Sequence, residues 1–210
     1  MMEKSFLERI QIFDENYPRI QEEIALAAEK AGRRPQDITL LAATKTVPLE
    51  VINHAIDSGL SAMGENRVQE LLEKYDGLHR ERCDVQFIGQ LQTNKVKYIA
   101  PFISMIHAVD SFKLLEEINK QASKVNRIIP CLLEIHIAQE ESKYGFTFES
   151  CREMLQEGAW KNLKNISING VMGMATNTED SDEIRKEFKQ LHDFFTELKQ
   201  TYFPNKAQFC

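Results

Sequence analysis

A lysine closes an apolar run and a proline follows it closely in ITLLAATKTVP, residues 38–48. In a strand, residues two apart share a face, so Leu41, Ala43 and Lys45 are expected to point one way. If that face is sheltered, desolvation favours the neutral amine. The neutral amine is the form that attacks an aldehyde, which makes Lys45 a candidate for Schiff-base chemistry. The plain alternative is a strand-end lysine that runs its stem over apolar surface and leaves its charge in water.

Three further stretches hold polar or special residues at the ends of strand-like runs. In MGENRVQE, Asn66 can reach a ligand, or it can cap the helix that follows, with Glu65 favouring the helix dipole. In FIGQLQTNK, Gly89 permits close backbone approach, and Thr93 or Asn94 can cap the next helix; in HAVDS, Asp110 or Ser111 can do the same. In NGVMGMATNTED, glycines on both sides of Met172 are unusual within a strand. They fit either something bulky lying against the backbone or a β-bulge with methionines packed in the core.

The elements that must position these residues alternate. A helix over about Glu3–Ala31 carries an apolar stripe of Phe6, Ile10, Phe13, Tyr17, Ile20, Ile24 and Ala27, with Pro18 expected to kink or break it. Strands are then read in ITLLAAT, GLSAMGEN, DVQFIG, SMIHAV, RIIPCLLEIHI and ISINGVMGM, with AQFC opening a seventh. Between them lie helices over Leu49–Ser58, RVQELLEKY, TNKVKYI, Ser111–Val125, Phe148–Glu157 and Ser181–Thr201. Such alternation implies parallel strands with right-handed crossovers, in a doubly wound sheet or a (β/α) barrel. No Gly-x-Gly-x-x-Gly follows the first strand, and Lys45, Asn66, Gln90, Asp110 and His136 all close strands, so a barrel mouth is the better reading.

Composition narrows the function classes. The 210 residues suit one domain, and 42% hydrophobic with 28% charged residues is ordinary for a globular chain. A formal net charge of −6 argues against sequence-independent nucleic-acid binding. No apolar stretch approaches the roughly 20 residues that span a bilayer, and MMEKSFLERIQIF lacks a signal-peptide core, so a cytoplasmic address without membrane attachment is expected. Cys83, Cys131, Cys151 and Cys210 are irregularly spaced and the five histidines show no ligand spacing, so reduced thiols and no metal are expected.

Taken in order, LLAATKT, MGENRVQE, QFIGQLQTNK, IHAVDS, EIHIAQEESKYGF and GVMGMA closely resemble the pyridoxal-phosphate homeostasis protein family, also called the YggS or proline-synthase co-transcribed family. The resemblance runs from about Ile38 to Cys210. It implies a TIM-type barrel like the N-terminal domain of alanine racemase, and pyridoxal 5′-phosphate held as a Schiff base on Lys45. Asn66, Met172 and Gly173 would fall near the cofactor ring. It further implies no catalytic residue and no robust catalysis. The role implied is in vitamin B6 and amino-acid homeostasis, buffering cofactor or delivering it to apo-enzymes; a monomer is expected for the chain itself. A racemase-like enzyme and a truncated form that no longer binds cofactor are the alternatives. The family continues past AQFC with a Ser-Met-Gly-Met-Ser-like turn and an Arg-x-Gly-x-x-Ile-Phe-Gly-like strand that serve the phosphate and the pyridine nitrogen. This chain stops at Cys210, so a single barrel domain over residues 1–210, short of its last strand, is expected and no phosphate-binding residue is nominated.

Overall fold

The computed structural model describes residues 5–139 and 144–209. The expected helix start at Glu3, the segment 140–143 of EIHIAQEESKYGF, and Cys210 lie outside the described residues. The chain forms two compact units, Met1–Gln86 and Phe87–Cys210.

The first unit opens with α1 (Phe6–Lys30), which starts where Ser5 and Glu8 satisfy each other's backbone amides in a capping box. The helix runs through Pro18 without a break. Its stripe is only half-buried at Ile10, Phe13, Tyr17, Ile20 and Ile24; Phe6 and Ala27 are exposed, and Ala28 is buried in place of Ala27. Phe13, Tyr17 and Ile20 instead line an apolar groove of about 590 Å3 that they share with Leu41, Val51 and Ala55. Then follow β1 (Leu41–Ala43), α2 (Leu49–Asp57), β2 (Ala62–Glu65) and α3 (Val68–Tyr75). β1 and β2 pair in parallel with Leu41 opposite Ala62 and Ala43 opposite Gly64. Ile52, Ile56, Leu60, Met63 and Leu71 form the core of this unit, each under about one-twentieth exposed.

Strand β3 (Asp84–Phe87) carries the chain into the second unit, which holds α4 (Val96–Ile99), β4 (Met105–Val109), α5 (Phe112–Lys124), β5 (Ile129–Glu134), α6 (Phe148–Glu157), β6 (Ile166–Met172) and α7 (Ser181–Thr201). Ser111, Thr147 and Asp180 cap α5, α6 and α7 through their side-chain oxygens. Thr93 and Asn94 make no such cap; they sit in a short 3-10 turn ahead of α4. β4 and β5, and β5 and β6, are parallel. Ile129, Cys131 and Leu133 of β5 are fully buried, as are Leu114, Leu115 and Ile118 of α5.

Among the described residues the strands follow one another in chain order, β1-β2-β3-β4-β5-β6. A doubly wound sheet reverses its order at a switch point, whereas a (β/α) barrel adds each strand beside the last. The observed order is the barrel's. The described residues 207–209 of AQFC, expected to open a seventh strand, are not in a strand. Residues 204–208 make successive turns, and Phe209 is fully buried, stacked on Phe203 at 4.3 Å and on Phe195 at 5.2 Å between ring centroids. Aromatic packing takes the place of strand pairing there.

Candidate functional site

Strand β1 ends at Ala43, and the chain turns over Thr44, Lys45 and Thr46 before Pro48 introduces α2. Thr46 has φ 59°, a left-handed conformation that a β-branched residue adopts only when its surroundings impose it. The strand alternation therefore stops before Lys45, and the shelter expected for its amine is not found in this unit: Lys45 is exposed. Its two neighbours are held firmly. The Thr44 amide donates to the Gly64 carbonyl at 3.0 Å, and the Thr46 amide donates to Glu70 Oε2 at 3.2 Å.

Glu65 proves to be the last residue of the buried strand β2, not a first-turn acid of α3, and its side chain is fully buried. A carboxylate there requires partners. Lys74 Nζ lies 2.6 Å from Glu65 Oε1 and Thr44 Oγ1 donates to the same oxygen at 2.9 Å. Asn66 does not cap α3 either, since Arg67 holds that position and makes no side-chain cap. Asn66 Oδ1 and Glu65 Oε2 are both buried without a hydrogen-bond partner among the described residues. The Thr44–Glu65 bond joins the residues immediately before Lys45 and Asn66, so these two expected site residues share one corner of the first unit.

Met172 and Gly173 belong to the second unit. Met172 closes β6, is half-buried, and its carbonyl accepts from the Ile135 amide at 2.8 Å. A β-carbon at Gly173 would meet Ile137 Cδ1 and Leu191 Cδ2, each at 2.9 Å. Close side-chain packing thus accounts for this glycine without a ligand. The register shift between Cys131 and Leu132 of β5, opposite Ile168 and Gly170, puts the bulge at Asn169.

Ionisable groups also lie in and just beyond β4 and β5 of this unit. Burial first, and then the charge of Asp110, raise the Glu134 carboxyl, with His136 opposing. Burial lowers His107 to about 4, which keeps its ring neutral. Gln90 is exposed and His136 half-buried. Sequence reading assigns Glu65 only a helix-dipole role and does not single out Lys74 or Glu134. For Glu65 the available signal was a carboxylate closing the apolar segment LSAMG, where only a paired charge is tolerated. Cys83, Cys131 and Cys151 are buried free thiols, with burial pushing them up to about 11, 12 and 12 respectively. They are poor nucleophiles.

Among the described residues no helix is long and apolar enough to cross a membrane. Residues 16–208 match the family model of the alanine racemase N-terminal domain. The pyridoxal phosphate homeostasis protein of Aquifex aeolicus is 38% identical over 188 residues, 90% of this chain and 82% of that protein. Among solved structures, an unknown protein from Bifidobacterium adolescentis is 32% identical with a TM-score of 0.85, covering 95% of this chain and 84% of the other. PipY of Synechococcus elongatus, solved with PLP bound, is 28% identical with a TM-score of 0.69, covering 85% of this chain and 83% of the other. By sequence and by fold, the chain belongs to the pyridoxal phosphate homeostasis protein family, built on the alanine racemase N-terminal domain.

Proposed function

We propose that this protein binds pyridoxal 5′-phosphate, anchors it covalently on Lys45, and serves vitamin B6 and amino-acid homeostasis without robust catalysis. The observation that carries the reading is kinship, at 28% identity, with a cyanobacterial relative solved with PLP bound. Pyridoxal 5′-phosphate supplies an aldehyde that condenses with a lysine amine and releases water.

The residues of the first unit fit that group. Lys45 offers an accessible amine on a fixed turn, and the buried Asn66 Oδ1 is an acceptor still lacking a donor. Met172 and Gly173 complete the proposed cofactor set, with Gly173 explained equally by packing against Ile137 and Leu191. The relatives are named for homeostasis and not for a reaction, which favours a carrier over a catalyst. As part of the same reading, the chain is a cytoplasmic monomer of one barrel domain that hands cofactor to apo-enzymes.

Borohydride reduction after incubation with pyridoxal 5′-phosphate, followed by peptide mass mapping, tests the anchor. The adduct is expected on Lys45 and absent in Lys45→Ala, whose melting temperature stays unchanged because an exposed lysine contributes little packing. An adduct on another lysine, or none at all, overturns the reading.

A further inference from the structure

Lys45 is exposed, yet the backbone on either side of it is fastened from below and from the side. Lys74 Nζ donates to the Thr44 carbonyl at 2.9 Å and pairs with Glu65 Oε1 at 2.6 Å, so one ammonium ties the turn to a buried carboxylate. Thr44 Oγ1 reaches Glu65 Oε1 at 2.9 Å and the Gly64 carbonyl at 3.2 Å. On the far side of Lys45, Glu70 Oε2 accepts the Thr46 amide at 3.2 Å, and Glu70 lies 3.8 Å from Lys74 and 3.7 Å from Arg67. Arg9 Nη1 donates to the Thr46 carbonyl at 3.2 Å.

Two features distinguish this network from ordinary surface ion pairing. Glu65 is fully buried and the Lys74 side chain only 15% exposed, so the pair sits where an unmatched charge is costly. The network also converges on a threonine held at φ 59°, a conformation that needs external support.

We propose that Glu65, Lys74 and Glu70 form a positioning clamp that fixes the Thr44–Lys45–Thr46 turn, and with it the direction in which the Lys45 amine is presented. The proposal rests on the reading of Lys45 as the anchor. The clamp touches no cofactor atom; it acts through the backbone. A fixed turn delivers the amine to the aldehyde without a conformational search, and this preorganisation shows in the rate of adduct formation.

The test uses the double variant Glu65→Leu/Lys74→Met, which removes both charges together and leaves neither buried alone, and the single variant Glu70→Gln in case the double variant fails to fold. Two readouts are taken on the whole chain: hydrogen exchange at the Thr46 amide, and the rate of borohydride-trapped pyridoxal 5′-phosphate on Lys45. The clamp predicts at least tenfold faster exchange at Thr46, with amides of β5 unmoved as internal reference, and at least tenfold slower trapping. Lys74→Arg, which retains a cationic donor, is expected to restore most of both.

Unchanged Thr46 exchange and unchanged trapping in a folded variant overturn the clamp while leaving Lys45 as anchor. Equal acceleration of exchange at Thr46 and throughout β5 also overturns it, because the network then serves global stability alone. Loss of Thr46 protection in a protein that never traps cofactor upholds the clamp and removes the anchor reading.

Discussion

The two units end their strands in opposite ways. In the first, β1 and β2 lead into a corner of buried charge, with Glu65 against Lys74 and two side-chain oxygens still without partners. In the second, the end of β6 is closed by apolar packing, Ile137 and Leu191 pressing on the space where Gly173 has no side chain. Charge that must be matched specifies a geometry, whereas apolar packing specifies a volume. The contrast sets matched charge at the Lys45–Asn66 corner against apolar packing at the Met172–Gly173 corner.

The comparison is most directly broken by Glu65→Ala, which strands the Lys74 ammonium in a buried setting and is expected to cost about 3–5 kcal/mol in urea unfolding, the range for a broken buried pair. A loss below about 1 kcal/mol would reduce the network to the level of a surface salt bridge.

A smaller effect is expected from acid in the second unit. His107 folds with a value of about 4 against an ordinary 6.5, so between these the unfolded chain binds a proton that the folded chain refuses. Stability contributed at neutral pH is therefore lost as pH falls through that window, by about 2–3 kcal/mol. Glu134 works in the other direction, since its value is raised by burial and its contribution weakens as pH climbs. His107→Gln isolates the histidine: its stability against pH should be flatter than that of the parent between pH 6.5 and 4.

Smallest is Gly173→Ala. The new β-carbon meets Ile137 Cδ1 and Leu191 Cδ2 at 2.9 Å and Ile137 Cγ1 at 3.3 Å, all side-chain atoms, so a thermal melt should register a loss of about 1–2 kcal/mol as Ile137 and Leu191 move aside. Weaker trapping of pyridoxal 5′-phosphate without any change in stability would instead sharpen the comparison, giving this corner the ligand role proposed for Met172 and Gly173 beyond its packing.

The secondary structure was legible where periodicity was long. The helices at Phe148–Glu157 and Ser181–Thr201 fall where their patterns place them, and the alternation of elements correctly implied parallel strands. At 207–209 the expected strand opening is a turn ending in buried Phe209, because so short a run with one aromatic suits a strand and a packed turn equally well. Lys45 was readable as a lysine either sheltered at a strand end or exposed to water, and the exposed alternative holds because β1 stops at Ala43, a boundary shift of two residues that pattern reading does not resolve. The partnership of Glu65 with Lys74 was hidden for another reason. The two lie nine positions apart across a strand, a turn and a helix, and no local rule joins them.

The open apolar groove lined by the first helix has a practical consequence at the bench. Phe13, Tyr17 and Ile20 leave apolar surface open to small probes while the fold is intact. A fluorescent dye such as ANS, normally taken as the mark of a molten globule, should therefore light up with the native chain. For this protein, quality control by dye binding would discard good preparations, and near-ultraviolet dichroism is the sounder gauge of a well-ordered interior.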